Sequence, residues 1–336
     1  MKLRIAAITL LISSHFLTPA HAWSEGGHRV IALIAYEKLT PEQRTRALKI
    51  LRHHPRFQED FEGAMPATLV QGAESDQQRW LFTQAAAWPD VVRDLPEPLQ
   101  SLYHRPTWHY INLPVFLDDA SKLELEAKLK TNIRLQWKEG SDPTWNNAAQ
   151  TIDMAMKNLR SSSTSDAQKA LMLCWLLHSV GDLHQPLHCV SLFSVHQFPD
   201  LKSGDMGGNG IPVAGKNPLR PQTLHSVWDG LLGYGGSIND LRARASRLLL
   251  DPKLITLSEK ARQITNLAQW VAEGRDAAAT YAYTTDVRNQ LLDMHTDRLM
   301  PVTLPENYMR QAGAIAQERA SIAGYRLAGM LGDVLK

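Results

Sequence analysis

His178 and Asp182 stand four residues apart in the segment His178-Ser179-Val180-Gly181-Asp182-Leu183-His184-Gln185-Pro186-Leu187-His188. On a helix that spacing projects both side chains from one face, and Pro186 ends the regular helix so that His188 can turn back toward them. His225 and Asp229 repeat the His-x-x-x-Asp spacing. Imidazole with carboxylate suits zinc, and with only two cysteines in the chain a four-thiolate structural site is excluded. One such pair is equally well explained by a capped or salt-bridged helix. Two pairs, with a third histidine after a helix-breaking proline, are hard to attribute to packing. Farther upstream, Trp88-Pro89-Asp90-Val91-Val92-Arg93 and Trp108-His109-Tyr110 each set a potential ligand beside apolar residues able to bury it.

The start of the chain bears on the same chemistry. Lys2 and Arg4 precede an apolar stretch from Ile5 to Leu17, and Ala20-His21-Ala22 has the small-x-small form read by signal peptidase. Residues 1–22 therefore read as a signal peptide, and the protein as exported, periplasmic or secreted. Cleavage there would leave Trp23-Ser24-Glu25-Gly26-Gly27-His28 at the new terminus, with a free α-amine and an imidazole. An α-amine has a pKa of about 7.7–8.0, so a metal displaces its proton readily near neutrality. Taken alone, Trp23 simply follows a cleavage site. No later window offers the roughly 20 apolar residues of a membrane span.

The elements that must hold these residues read as helix after helix. Apolar residues recur at three and four over Gly27 to Lys38, Pro41 to Arg52, Leu123 to Gly140, Trp145 to Leu159, Ser165 to Asp182, Leu254 to Tyr283 and Tyr308 to Val334. Thr40-Pro41-Glu42 and Ser165-Asp166 are helix starts. Period-two runs are scarce, the best being Trp108 to Asn112 and Ile211 to Val213. The pattern predicts one compact all-α domain over residues 23–336 with at most a small β-hairpin. Between Val190 and Thr223 the chain turns Gly-, Pro- and Asn-rich, and so long an irregular stretch in a compact domain is usually functional.

Charge narrows the partners. The 36 Lys and Arg nearly balance 34 Asp and Glu, and the balance becomes complete without Lys2 and Arg4. A long-range grip on duplex DNA needs clustered basic residues, so positive charge at a site here would have to come from metal. Cys174 and Cys189 lie on and just beyond one helix, too far apart to bond, and read as buried free thiols.

Taken together, these residues resemble the zinc-dependent single-strand-specific nuclease family of fungal single-strand nucleases and plant bifunctional nucleases, related to zinc phospholipase C. The likeness runs from Trp23…His28 through Trp88-x-Asp90-x-x-Arg93, His109-Tyr110-Ile111-Asn112, Gly181-Asp182-Leu183-His184-Gln185-Pro186-Leu187-His188, Gly207-Gly208-Asn209 and His225-x-x-Trp228-Asp229 to Ala323-Gly324-Tyr325-Arg326-Leu327-Ala328. The resemblance implies three zinc ions: one held by Asp90, His109, His178 and Asp182, a second by His188, His225 and Asp229, and a third by the Trp23 amine and carbonyl with His28 and Asp182. It implies hydrolysis of single-stranded DNA and RNA to 5′-phosphonucleotides, 3′-nucleotidase activity, and no obligate protein partner, as a monomer.

Neighbouring zinc ions lower the pKa of water toward about 7 and stabilise the departing oxygen. Asp90 would also orient the attacking water, and Arg93 would donate to the phosphoryl oxygens as charge accumulates. In the family a base stacks on an aromatic beside a ligand histidine, here Tyr110, and an unpaired base is the one free to stack. Asn209 could read a base edge, and Asn112 stands where an aspartate is common. His184 reads as structural, and His53, His54, His104, His196 and His295 as solvated or packed. Two other readings are a zinc phospholipase C, whose pattern usually has a glutamate where Asp229 stands, and a non-enzymatic zinc-binding protein, which leaves Arg93 and Tyr110 without a purpose.

Overall fold

The computed structural model describes residues 23–215, 221–294 and 299–336, so the leader, residues 1–22, and His295 lie outside the described residues. The helices are α1 Glu25–Lys38, α2 Pro41–Leu51, α3 Ala67–Val70, α4 Glu74–Val91, α5 Leu99–Tyr103, α6 Asp119–Leu125, α7 Ala148–Arg160, α8 Asp166–Asp182, α9 Leu224–Asp229, α10 Ile238–Leu250, α11 Pro252–Ala261, α12 Leu267–Ala277, α13 Thr285–Leu292 and α14 Glu306–Val334. Strand β1 (Leu113–Phe116) pairs in parallel with β2 (Val190–Phe193), and β3 (Pro212–Val213) pairs antiparallel with β4 (Gln222–Thr223). The all-α expectation holds, with the parallel pair as an addition to the hairpin-like one.

Helix α8 is the axis. Ser165 caps it by accepting from the Gln168 N–H, Asp166 sits in its first turn where the helix dipole favours an acid, and every residue from Met172 to Asp182 is buried. Around it pack α7, α4, α2 and α14, while α1 lies against α4, α14 and α10. A helix buried on all sides can carry His178, Ser179 and Asp182 only if their polar atoms find partners or an ion. Gly181 sets the approach of α1: a Cβ there would stand 2.9 Å from His28 Nδ1.

Three expected elements differ. The helix from Leu123 to Gly140 stops at Leu125, followed by one 3-10 turn to Lys128 and then irregular chain to Asp142. There, amide side chains take over the backbone: Asn132 donates to Trp145 O, Asn147 to the carbonyls of Asn132 and Arg134, and Gln150 to Gln136 O. Tertiary hydrogen bonds thus outweigh a weak local helix preference. The helix from Leu254 to Tyr283 is two helices, broken where Asn266 caps the Ala268 N–H and Trp270 Nε1 donates to Ile264 O, with a π-turn at Ala278–Ala282. The strand at Trp108 to Asn112 is a 3-10 turn over Pro106–His109, and the ladder begins only at Leu113.

Candidate metal centre

Six segments bring eight of the nine candidate ligands together, and the ninth, Trp23, stands just ahead of α1. Asp90 comes from the last turn of α4, where Pro89 removes a backbone donor and the helix ends two residues later. His178 and Asp182 come from α8, His225 and Asp229 from α9, and His28 from α1. His109 and His188 each end a 3-10 turn that starts at a proline, Pro106 and Pro186. The two turns are tied to each other, since Ile111 N–H donates to His188 O at 2.8 Å.

The donor atoms converge on Asp182. His178 Nε2 and His109 Nδ1 lie 3.1 and 3.3 Å from its Oδ2, and His28 Nε2 lies 3.3 Å from its Oδ1. His109 Nδ1 and His178 Nε2 are 2.9 Å apart, and Asp90 Oδ1 is 3.9 and 4.0 Å from them. His188 Nε2 stands 3.0 Å from His225 Nε2, which is 3.4 Å from Asp229 Oδ2. Donors bound at about 2.0–2.1 Å to a tetrahedral ion are separated by roughly 3.3–3.4 Å. The observed separations bracket that value. The groups Asp90, His109, His178; His188, His225, Asp229; and His28, His178, Asp182 can each hold a metal ion.

Tautomers and unpaired atoms test the fit. His178 Nδ1 faces Ala86 O at 2.8 Å, His188 Nδ1 faces His109 O at 2.6 Å, and His225 Nδ1 faces Gly207 O at 2.6 Å. A carbonyl only accepts, so each Nδ1 carries a proton and each ring, when neutral, turns an Nε2 lone pair inward. Two such lone pairs, on His188 and His225, then face each other and call for a cation between them. The same backbone anchoring orients metal-binding imidazoles generally. Both oxygens of Asp182, Oδ2 of Asp90 and of Asp229, and both ring nitrogens of His28 are buried without a hydrogen-bond partner. Isolated buried polar atoms are costly, so this donor set fits zinc.

Burial and charge act against each other across the cluster. Burial pushes the Asp229 carboxyl well above its ordinary range, opposed mainly by Gln185, whose Nε2 donates to Oδ1 at 2.8 Å. Burial acts the same way on Asp182, but the charge that the facing His178 and His188 rings carry when protonated outweighs it and holds the acid well below 3.8; burial would lower His178, but the Asp182 and Asp90 carboxylates outweigh it and raise that ring. Burial lowers His28, and His109 falls to about 4. Neutral rings are the ones with lone pairs to give.

A cleft of about 370 Å³ opens over the cluster, lined by His109, His188 and His225 together with Arg93, Tyr110, Asn112 and Asn209. Arg93 Nη2 donates to Asp90 Oδ1 at 2.6 Å, so the guanidinium is already tied to the centre. Tyr110 is 37% exposed on the rim. Asn209 spends its amide on Met206 O at 2.9 Å, and Asn112 has a long 3.5 Å contact to Lys202 O. Trp23 is fully buried; its Nε1 donates to Gly181 O at 3.0 Å, and the next N–H, of Ser24, donates to Asp229 O at 3.0 Å. Its backbone therefore lies between the segments carrying Asp182 and Asp229. His28 stacks on His178 with ring centroids 3.8 Å apart.

Other residues build the support. His184 Nδ1 donates to Val180 O at 2.8 Å and its Nε2 accepts from Arg326 Nη1 at 3.0 Å, which makes it structural, as expected. Glu273 binds Arg326 and Arg319, and Arg319 Nε donates to His184 O at 3.3 Å, so α12 and α14 clamp the turn after Asp182. Asp205 accepts from Leu192 N, Gly208 N and Tyr283 Oη and fixes the glycine turn whose Gly207 carbonyl orients His225. Gly207 has φ +62°, and a Cβ there would meet Leu187 O at 2.4 Å. Of these, only His184, Arg326 and the glycines carry a sequence signal, through the motifs that contain them. His54 is packed, against Trp88 and Phe61. His104 lines the cleft.

The family model described as S1/P1 Nuclease matches residues 23–336. Endonuclease 3 of Arabidopsis thaliana is 23% identical over 344 residues, covering 99% of this chain and 96% of its own. Endonuclease 2 of the same plant is 25% identical over 327 residues, covering 94% and 91%. Endonuclease 4 is 21% identical over 343 residues, covering 97% and 93%.

Proposed function

The chain belongs to the S1/P1 nuclease family, and from that premise we propose that it is an exported, zinc-dependent phosphoesterase that cleaves single-stranded DNA and RNA to 5′-phosphonucleotides and also removes 3′-phosphates. One observation carries the zinc and the chemistry: the two oxygens of buried Asp182 face different histidines, Oδ2 toward His109 and His178 and Oδ1 toward His28, at 3.1–3.3 Å. A carboxylate so placed can serve two ions at once. The ligand sets are Asp90, His109, His178 and Asp182; His188, His225 and Asp229; and Trp23 with His28 and Asp182.

Zinc bound there supplies the Lewis acidity that makes water a nucleophile near neutral pH and offsets charge on the phosphate. The chain does the rest. Asp90 offers its second oxygen, which has no hydrogen-bond partner, as the acceptor that orients the attacking water. Arg93, held by Asp90 Oδ1 in the cleft wall, donates to the phosphoryl oxygens as charge accumulates on them. Tyr110 offers a ring face to an unpaired base, which a paired duplex cannot supply. Asn112 and Asn209 flank that base. Trp23, fixed by its indole, supplies its amine and carbonyl once residues 1–22 are removed.

The test is an assay of zinc-loaded protein beginning at Trp23 on single-stranded DNA, duplex DNA, RNA, a 3′-mononucleotide and lecithin, with zinc per chain by elemental analysis. Single strands and the 3′-nucleotide should be hydrolysed, duplex far more slowly, lecithin not at all. Lecithin hydrolysis without single-strand cleavage would overturn the proposal.

A further inference from the structure

Beside the catalytic cleft runs a second groove, of about 500 Å³, walled by the irregular segment after α6 and the turn before α7. Trp145 stands on its rim, 70% exposed, and no other tryptophan among the described residues is exposed. Ile133 faces the same groove at 49% exposure. A tryptophan left in water on a soluble surface costs free energy unless something covers it.

The backbone under it is firmly held. Asn132 Nδ2 donates to Trp145 O at 2.7 Å and to Gln150 Oε1 at 2.8 Å, and Trp108 Nε1 donates to Pro143 O at 2.6 Å. Charge in the groove favours a polyanion: Lys130 and Arg134 line it, and its acid, Asp142, already accepts from the Thr144 N–H and hydroxyl at 2.9 and 2.7 Å. The segments that line the groove and the cleft are tied together: Thr107 Oγ1, beside cleft-lining Pro106, donates to Thr144 O at 2.8 Å, beside groove-lining Trp145, and groove-lining Lys130 donates its N–H to Leu201 O at 2.9 Å, two residues before cleft-lining Ser203. Ala148 N–H donates to Tyr110 O at 3.0 Å, and three residues span at most about 11 Å, which puts Trp145 within a few nucleotides of the base stacked on Tyr110.

We propose that this groove is a second binding site for single-stranded nucleic acid, where Trp145 stacks a base beyond the one at Tyr110 and Lys130 and Arg134 hold the intervening phosphates. The inference rests on the single-strand nuclease reading above. Stacking is tolerant of sequence, so the site lengthens the grip without choosing bases. It also gives a chain of near-balanced charge a local basic track.

Steady-state kinetics with zinc-loaded protein on a twelve-residue oligothymidylate and on a 3′-mononucleotide test it. Trp145→Ala should raise KM for the oligonucleotide roughly ten-fold and leave the mononucleotide KM unchanged, while Trp145→Phe should stay near wild type. Arg134→Ala should flatten the salt dependence of the oligonucleotide KM by about one phosphate contact. An unchanged oligonucleotide KM in Trp145→Ala, or equal changes on both substrates, would overturn the groove while leaving the nuclease reading intact, and would assign Trp145 to a protein partner or to packing. Wild-type protein inactive on both substrates would overturn both readings.

Discussion

Both oxygens of Asp182 are buried at the point where His28, His109 and His178 meet, and neither has a hydrogen-bond partner. Asp182→Asn keeps the shape and removes the charge that two ions would share. Zinc per chain should fall by more than one, and single-strand hydrolysis by more than about a hundredfold. Loss of one ion or fewer, by elemental analysis, would overturn the shared carboxylate. Two cleft residues should separate binding from turnover. Tyr110→Ala should raise KM for single strands by removing a stack worth roughly 1–3 kcal/mol. Arg93→Ala should instead lower kcat by about 10²–10³, because its contact strengthens as charge builds in the transition state. A Tyr110→Ala variant whose KM is unchanged on DNA, RNA and mononucleotides contradicts the stacking role.

Among the elements, α8 was legible because its start, apolar period and proline-limited end agree, and the His-x-x-x-Asp spacing then placed two ligands on one face. Helix α4 was not: Ala85-Ala86-Ala87 gives a weak stripe and Pro89 reads as a break, although the helix runs past it to Val91 and delivers Asp90. The segment at 129–142 misled because its carbonyls go to amides more than ten residues away. Asp205 and Glu273 act through partners at separations of 78 and 46 residues, which no local pattern records. The contact of the turn after α2 with α4 carries a pH dependence. His54 packs edge-on to Trp88, and burial with the nearby Arg56 charge lowers its pKa from 6.5 to about 4 despite Asp60. The folded pKa is depressed, so stability is complete above the unfolded value and is lost as pH falls from 6.5 through 4. The loss is on the order of 3 kcal/mol. Urea melts in chelator should show a shallower acid limb for His54→Phe than for wild type; parallel limbs would show that His54 does not control it.

At the scale of the whole molecule, no helix among the described residues is long and apolar enough to cross a membrane, and Trp23 is fully buried in the core. While residues 1–22 remain attached, the Trp23 nitrogen is an amide, which has no basic lone pair for a metal. Protein with one extra residue ahead of Trp23 should bind about one zinc fewer and cut single strands more slowly than protein starting there. Equal zinc and equal rates in the two forms would show that the terminal amine is not a ligand. A last consequence follows from Cys189, the neighbour of His188, which is 0% exposed with its thiol donating to Leu183 O at 3.2 Å, as Cys174 is 0% exposed in α8. The donor set of the centre is nitrogen and oxygen alone, and the Cys189 thiol is spent on Leu183 O. Thiol-directed reagents such as organomercurials thus find no exposed cysteine on the native protein, and brief incubation with iodoacetamide should leave its activity intact, whereas oxygen- and nitrogen-donor chelators should abolish it.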